Sequence, residues 1–67
     1  MRIDRIKLKT ELWKRDMKQK ELAEAAGVSK ETVTNICSGR SCSNLTGRAL
    51  AAALGMDITE LLEESID

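Results

Sequence analysis

The segment "QKELAEAAGVSKETVTNI", which begins at Gln19, constrains the fold most, because a helix stop and a helix start follow each other closely. Apolar residues recur at helical spacing until Gly27, and glycine is the usual stop because it adopts positive φ without a Cβ clash. Ser29 can then start a second helix by accepting a hydrogen bond from the amide of residue 31 or 32. The segment therefore predicts two short helices, about Gln19–Ala26 and Lys30–Cys37, joined by a tight turn.

The N-terminal part predicts a helix of about Asp4–Arg15. Leu8 and Leu12 lie four residues apart with Trp13 beside them, which is the apolar stripe of an amphipathic helix. Asp16 follows where the chain must turn, and aspartate tolerates the left-handed conformation better than most residues. We therefore expect a turn at Asp16 that leads directly into the helix pair.

The C-terminal part predicts two further helices. Ser43 or Asn44 can cap a helix that runs to about Leu54, and a last short helix covers about Ile58–Glu63. Proline is absent and only one residue is aromatic, a composition that favours helix over strand. We therefore predict a single all-α domain of five helices over residues 1–67, close to the size at which one core is only just sufficient. The expected core consists of Leu22, Ala23, Val33, Ile36, Leu50 and Leu54.

Segment hydropathy and cysteine usage favour a cytoplasmic protein. No stretch approaches the roughly 18 to 20 apolar residues that span a bilayer, and the basic start lacks the apolar run of a signal peptide. With no histidine and only Cys37 and Cys42, one chain cannot complete a four-ligand zinc site. We expect both thiols to be small, partly buried fillers; a disulfide is the alternative, which a reducing cytosol disfavours.

The formal net charge of zero conceals an uneven distribution. Residues 1–48 contain all 11 lysines and arginines and 6 acidic residues, whereas residues 49–67 contain the other 5 acidic residues and no basic one. A polyanion partner for the basic part is one interpretation, and solvated helix faces are the other.

The stretch from Gln19 to Gly39 resembles the helix-turn-helix of the Cro/C1-type (XRE family) transcriptional regulators, and the similarity extends from about Leu8 to Leu62. In that family a glutamine opens the second helix, a small residue faces the third, glycine makes the turn and a β-branched residue packs the recognition helix. The terminal "ALGMDITELLE" is similar to the junction between the family's fourth and fifth helices. The residues at the four motif places are Gln19, Ala23, Gly27 and Val33.

The resemblance implies that the third helix enters the major groove of double-stranded DNA with its N-terminal residues against base edges. Lysine can donate to guanine, glutamate can accept from cytosine, asparagine can pair with adenine, and a threonine methyl can contact a thymine methyl. The implied base-reading residues are Lys30, Glu31, Thr32 and Asn35.

The resemblance also implies phosphate contacts at the start of the second helix and in the loop after the third. The base-reading and phosphate assignments both have alternatives. Glu31 can be a helix-dipole acid and Asn35 can be surface filler. The exposed lysines can simply be solvated. The implied phosphate-contacting residues are Lys18, Gln19, Ser29, Arg40, Ser41 and Ser43.

Several residues depart from the family pattern. Asp16 replaces a frequent glycine, Lys18 a serine or threonine cap, and Cys42 a frequent proline. Gly47 and Arg48 occupy positions where the family often has leucines, so the fourth helix is expected to begin later or to be distorted locally.

Three classes of function remain to be compared. A sequence-specific DNA-binding regulator, most often a repressor that acts as a weak homodimer on a palindromic operator, agrees best with these residues. A module that uses the fold for protein contact, as an antitoxin-like partner does, is the alternative, which Glu31 and the zero net charge favour. An enzyme is disfavoured, because the chain has no histidine, no evident base for its thiols and no paired carboxylates in a cleft pattern. We expect no cofactor and no small-molecule ligand.

Overall fold

The computed structural model describes residues 1–63, which form four α-helices and one short 3₁₀ turn. This arrangement confirms the all-α prediction, and within the described residues the only β-type pairing is one isolated bridge. None of the helices in this part of the chain is long and apolar enough to cross a membrane. The elements are α1 (Arg5–Lys14), α2 (Gln19–Ala26), α3 (Lys30–Cys37), α4 (Asn44–Leu54) and the 3₁₀ turn Ile58–Glu60.

The turn between α2 and α3 has the predicted geometry. Gly27 adopts the left-handed conformation at φ 73°, and the Ser29 hydroxyl accepts a hydrogen bond from the Thr32 amide at 3.1 Å. Ala23 is buried in α2, which packs against both α3 and α4. The bounds predicted for both helices are confirmed.

Helix α1 begins at a cap of its own and ends at the predicted turn. The Asp4 carboxylate accepts hydrogen bonds from two amides of the first turn, and Asp16 adopts a positive φ of 49°. The prediction that Trp13 belongs to the apolar stripe is wrong, because its side chain is 83% exposed. Leu8 and Leu12 define the buried face, and the next residue after Leu12 lies about 100° further around the helix.

Helix α4 is continuous from Asn44 to Leu54, with Ser43 as its cap, so the late start or distortion expected near Gly47 does not occur. Gly47 is buried, and the Met1 thioether occupies the space that a Cβ would need there. The absence of a side chain at this position therefore makes room for the first residue of the chain.

The predicted fifth helix of about Ile58–Glu63 is not confirmed. Only one 3₁₀ turn forms, and the chain then pairs with the N-terminal segment, by which we mean Met1–Asp4. Ile3 forms an antiparallel bridge with Leu62, and the Asp4 amide donates to the Leu61 carbonyl at 2.7 Å. Backbone pairing therefore replaces helical hydrogen bonding at this end of the chain.

The N-terminal segment is also bound to the loop between α3 and α4. The Met1 amino group donates to the Cys42 carbonyl at 2.7 Å, and the Cys42 amide donates to the Met1 carbonyl at 2.9 Å. Ile3 is 1% exposed and lies in the core. The first four residues thus connect the loop after α3 with the end of the described chain.

The core contains all six residues predicted for it. Ile3, Leu8, Leu12, Cys37, Ala51 and Leu61 are buried with them. Both thiols are free, Cys37 buried and Cys42 half-buried, and burial raises the pKa of each. They therefore remain protonated at neutral pH and fill space, as predicted.

Candidate nucleic-acid interface

The exposed face of α3 presents polar side chains, because Val33 and Ile36 direct the opposite face into the core. Lys30, Glu31 and Asn35 are exposed, and together with Thr34 they line a shallow depression of about 380 Å³. Three of the four predicted base-reading residues are therefore side by side on one surface.

Thr32, the fourth of these residues, is half-buried and lies at the edge of that face. Its hydroxyl is 2.8 Å from the Ser29 hydroxyl, and its amide donates to the same oxygen. The polar groups of Thr32 are therefore engaged in the cap of α3, which leaves its methyl group as the part suited to an apolar contact.

Gln19 joins the start of α2 to the exposed face of α3. Its side-chain oxygen accepts a hydrogen bond from the Thr34 hydroxyl at 3.1 Å. This contact fixes the orientation of the amide group, whose nitrogen remains a donor. Lys18 precedes it as the residue before the helix, and the Glu21 carboxylate accepts from the Lys18 amide at 3.1 Å.

The loop after α3 forms a second depression, of about 310 Å³, beside the end of that helix. Arg40 and Ser41 are exposed in it, and the Arg40 amide donates to the Asn35 carbonyl at 3.1 Å. Ser43 caps α4: its hydroxyl accepts from the Thr46 amide and donates to the Thr46 hydroxyl. Apart from these groups, Thr32, Asn35, Ile36 and Cys42 line the depression.

A third and larger depression, of about 580 Å³, lies where the end of α1 meets the start of α2. We call it the tryptophan groove, after its exposed Trp13. It contains Lys18, Gln19 and Lys30, which were predicted at the interface, and also residues that were not. Its lining consists of Lys9, Leu12, Trp13, Met17, Lys18, Gln19, Lys20 and Lys30.

The three depressions form one continuous surface, which we call the interface strip. Lys30 lines both the tryptophan groove and the depression on α3, and Asn35 lines both the latter and the depression beside the loop. Nine of the ten residues predicted to contact DNA line this strip; the tenth, Ser29, does not. The side chain of Ser29 is engaged in capping α3.

The interface strip is predominantly basic. Its lining contains Lys9, Lys18, Lys20, Lys30 and Arg40, against Glu31 as the single acidic residue. No group of three or more cysteine and carboxylate side chains that could bind a metal occurs among residues 1–63. The strip is thus an open surface with an excess of basic side chains.

Sequence reasoning missed several residues of the strip. Thr34 lies four positions after Lys30, so helical periodicity could have placed it on the exposed face. Lys9 and Trp13 are also four positions apart and share one face of α1, a signal hidden by placing Trp13 on the apolar stripe of Leu8 and Leu12. For Lys20 the sequence offers only its positive charge, which does not distinguish a residue of the strip from any other exposed lysine.

Comparison with known proteins identifies a helix-turn-helix family. A family model described as helix-turn-helix matches residues 8–61. The HTH-type transcriptional regulator PrtR of Pseudomonas aeruginosa strain PAO1 is 44% identical over 50 residues, which are 75% of this chain and 20% of PrtR. The chain thus spans about one fifth of the length of that curated relative.

Similar solved structures show the fold alone. A variant of hydroxyethylphosphonate dioxygenase superposes with a TM-score of 0.85, and native PhpD with cadmium atoms with a TM-score of 0.83. Each is 24% identical, and the match covers 100% of this chain but only 15% of the larger one. At that identity the likeness concerns the arrangement of helices and carries no chemistry.

Proposed function

We propose that this chain, which belongs to the Cro/C1-type helix-turn-helix family, binds double-stranded DNA sequence-specifically as a transcriptional regulator. The observation that carries the proposal is the interface strip, in which the exposed polar face of α3 lies between two groups of basic and amide side chains. An α-helix fits the major groove, and flanking cations then reach the phosphates on either side of it.

Base reading is assigned to the exposed face of α3. Lys30 donates to guanine, Glu31 accepts from cytosine, Asn35 pairs with adenine, and the Thr32 methyl contacts thymine. The capped geometry of Thr32 supports the last assignment, since its hydroxyl is already bonded to Ser29.

Phosphate binding is assigned to the two ends of the strip. Lys18 and Gln19 bind one strand, and Arg40 with Ser41 binds the other. Ser29 and Ser43 contribute as caps: each orders a helix start whose remaining free amides are donors for an anion.

The regulator is proposed to act as a repressor and as a weak homodimer on a palindromic operator. A single copy presents few base-reading groups, and pairing on half-sites one helical turn apart multiplies the affinity. The acidic C-terminal half is the proposed dimer surface, because it lies apart from the basic strip in sequence and in charge. Of its acidic residues, Glu64 and Asp67 are outside the described residues.

Salt-dependent duplex binding with paired variants tests the proposal. Arg40→Ala should weaken binding to all duplexes and lower the slope of log affinity against log salt by about 0.9, because one counterion fewer is released. Asn35→Ala should cost about 1–3 kcal/mol on the preferred site only. Arg48→Ala is the matched control, since Arg48 is exposed on α4 away from the strip.

The preferred site itself comes from selection against a random duplex library. Failure of the protein to bind any duplex at low ionic strength, with Lys30→Ala changing nothing, would reject the proposal. The alternative is then a protein-interaction module that uses the same face of α3, for which Glu31 provides a site for a basic partner. Affinity for a partner protein that Glu31→Gln abolishes, without duplex binding, would establish that alternative.

A further inference from the structure

The tryptophan groove contains a large aromatic surface that the fold does not use. Trp13 is 83% exposed, although it lies next to the buried Leu12 on α1. An indole left in water forgoes the burial of a large apolar area, and its ring nitrogen is a hydrogen-bond donor without an acceptor partner in the described chain. The side chain is therefore available to a binding partner at no cost to the core.

The charges around this indole have one sign. Lys9, Lys18, Lys20 and Lys30 line the groove, and no aspartate or glutamate does. None of these four lysines forms an ion pair within residues 1–63. The neighbouring Glu11 is already engaged by Lys14 and Arg15, which lower the pKa of its carboxyl. The groove therefore has a local excess of positive charge that an anionic occupant would neutralise.

The position of the groove identifies that occupant. Gln19 and Lys30 line it and also take part in the proposed phosphate and base contacts, so a duplex bound to α3 passes directly beside it. A sugar-phosphate backbone offers phosphate oxygens to the lysines and to the indole nitrogen, and an apolar deoxyribose to the indole face.

We propose that the tryptophan groove binds the sugar-phosphate backbone of the same duplex, beyond the phosphates held by Gln19, and so extends the footprint outward from the helix pair. The inference rests on the proposed function. Lys9 and Lys20 neutralise the additional phosphates, and Trp13 packs on the sugar between them. These contacts add affinity without adding base preference, because they touch no base edge.

Trp13 is the only tryptophan, and no tyrosine occurs, so intrinsic fluorescence reports on this groove alone. The experiment uses the selected duplex at its full length and a series shortened stepwise at the end next to α2. Acrylamide, a neutral quencher, should lose access to Trp13 when the full duplex binds. It should regain access once the shortened duplex no longer reaches the groove, while α3 still binds.

Two variants with a matched control separate the groove from general charge. Trp13→Ala should lower affinity for the full duplex about fivefold and leave affinity for the shortened one nearly unchanged. Lys9→Ala should lower the salt slope by about 0.9 on the full duplex only. Lys14→Ala removes the same charge from the same helix outside the groove and should do neither. Trp13 is exposed, so circular dichroism should show an unchanged fold for its variant.

Four results of these experiments would overturn the inference. Salt-sensitive duplex binding with Trp13 still open to acrylamide overturns the inference and leaves the proposed function intact. Absence of duplex binding overturns both. Equal protection of Trp13 by polyglutamate of matched charge overturns the inference in favour of an acidic-peptide site. If Lys9→Ala and Lys14→Ala lowered duplex affinity and the salt slope equally, the effect would be general electrostatic attraction and not binding in the groove. That result also overturns the inference.

Discussion

The helix pair and the N-terminal segment are stabilised by interactions of very different range along the chain. In α2 and α3 the decisive groups are neighbours: Gly27 ends one helix and Ser29 caps the next by bonding Thr32. In the N-terminal segment they are distant, since Ile3 pairs with Leu62. Local chemistry thus shapes the helix pair, while distant pairing holds the N-terminal segment against the loop after α3 and against residues 61–63.

This difference gives the two regions different sources of stability. The interface strip consists of side chains on a framework that the caps and the core already determine. The N-terminal segment, apart from Asp4 at the start of α1, is bound through Ile3 in the core and through backbone partners at Cys42 and Leu61. Substitutions in the interface strip and in the N-terminal segment should therefore differ in their effect on the free energy of unfolding.

The largest effect is expected from Val33→Asp in α3. Val33 is fully buried, so an unpaired carboxylate there should cost about 3–5 kcal/mol or more, enough to unfold a domain of this size. Circular dichroism should show loss of helix at neutral pH. Thr34→Asp, the exposed neighbour, should remain folded; a folded Val33→Asp protein would contradict the assigned core.

The next largest effect tests the N-terminal segment. Ile3→Ala should cost about 2–5 kcal/mol in urea unfolding, as much as Ile36→Ala in α3, because both side chains are 1% exposed. Ile6→Ala, at a side chain that is 68% exposed, should change stability by less than about 0.5 kcal/mol. If Ile3→Ala behaved like Ile6→Ala, the segment would not be part of the core.

A smaller effect is expected at the cap between the two helices. Ser29→Ala removes the acceptor of the Thr32 amide and should lower the free energy of unfolding by about 1 kcal/mol. Ser41→Ala, exposed in the loop after α3, should leave stability unchanged. Equal values for the two variants would mean that the cap does not determine where α3 begins.

The smallest effect sharpens the comparison at Gly47, where the N-terminal segment packs against α4. Glycine to alanine inside a helix ordinarily gains about 1 kcal/mol, but a Cβ here takes the space of the Met1 thioether. The two terms oppose each other, so Gly47→Ala should leave stability within about 0.5 kcal/mol of the parent. The full gain would show that Met1 moves aside freely, and the methyl NMR signal of Met1 would report that movement.

The sequence predicted the helix pair well because its signals are short-range. Gly27, Ser29 and Asp16 act on their own backbone or on a neighbour within three residues, and all three have the expected conformations or bonds. Apolar spacing identified the core residues of α2, α3 and α4 for the same reason.

The failures concern interactions that no local pattern encodes. The apolar spacing of about Ile58–Glu63 predicted a helix, but the backbone of Leu62 forms a bridge with Ile3 instead. Trp13 was placed on the apolar stripe of α1 because it stands beside Leu12, whereas Leu8 and Leu12 alone form the buried face and Trp13 is 83% exposed. Within the candidate site, the positions on one strip could be predicted from periodicity, while the contact between Gln19 and Thr34 depends on how two helices cross.

The bridge between Ile3 and Leu62 has a consequence for synthesis of the protein on the ribosome. The caps and turns of α1, α2 and α3 join residues that are close in the chain, so their partners are added at nearly the same time. The pairing partner of Ile3, in contrast, is added about 60 residues after Ile3 itself. Until then an apolar side chain and several backbone donors stay open to solvent and to chaperones, and the domain closes only when residue 62 is released.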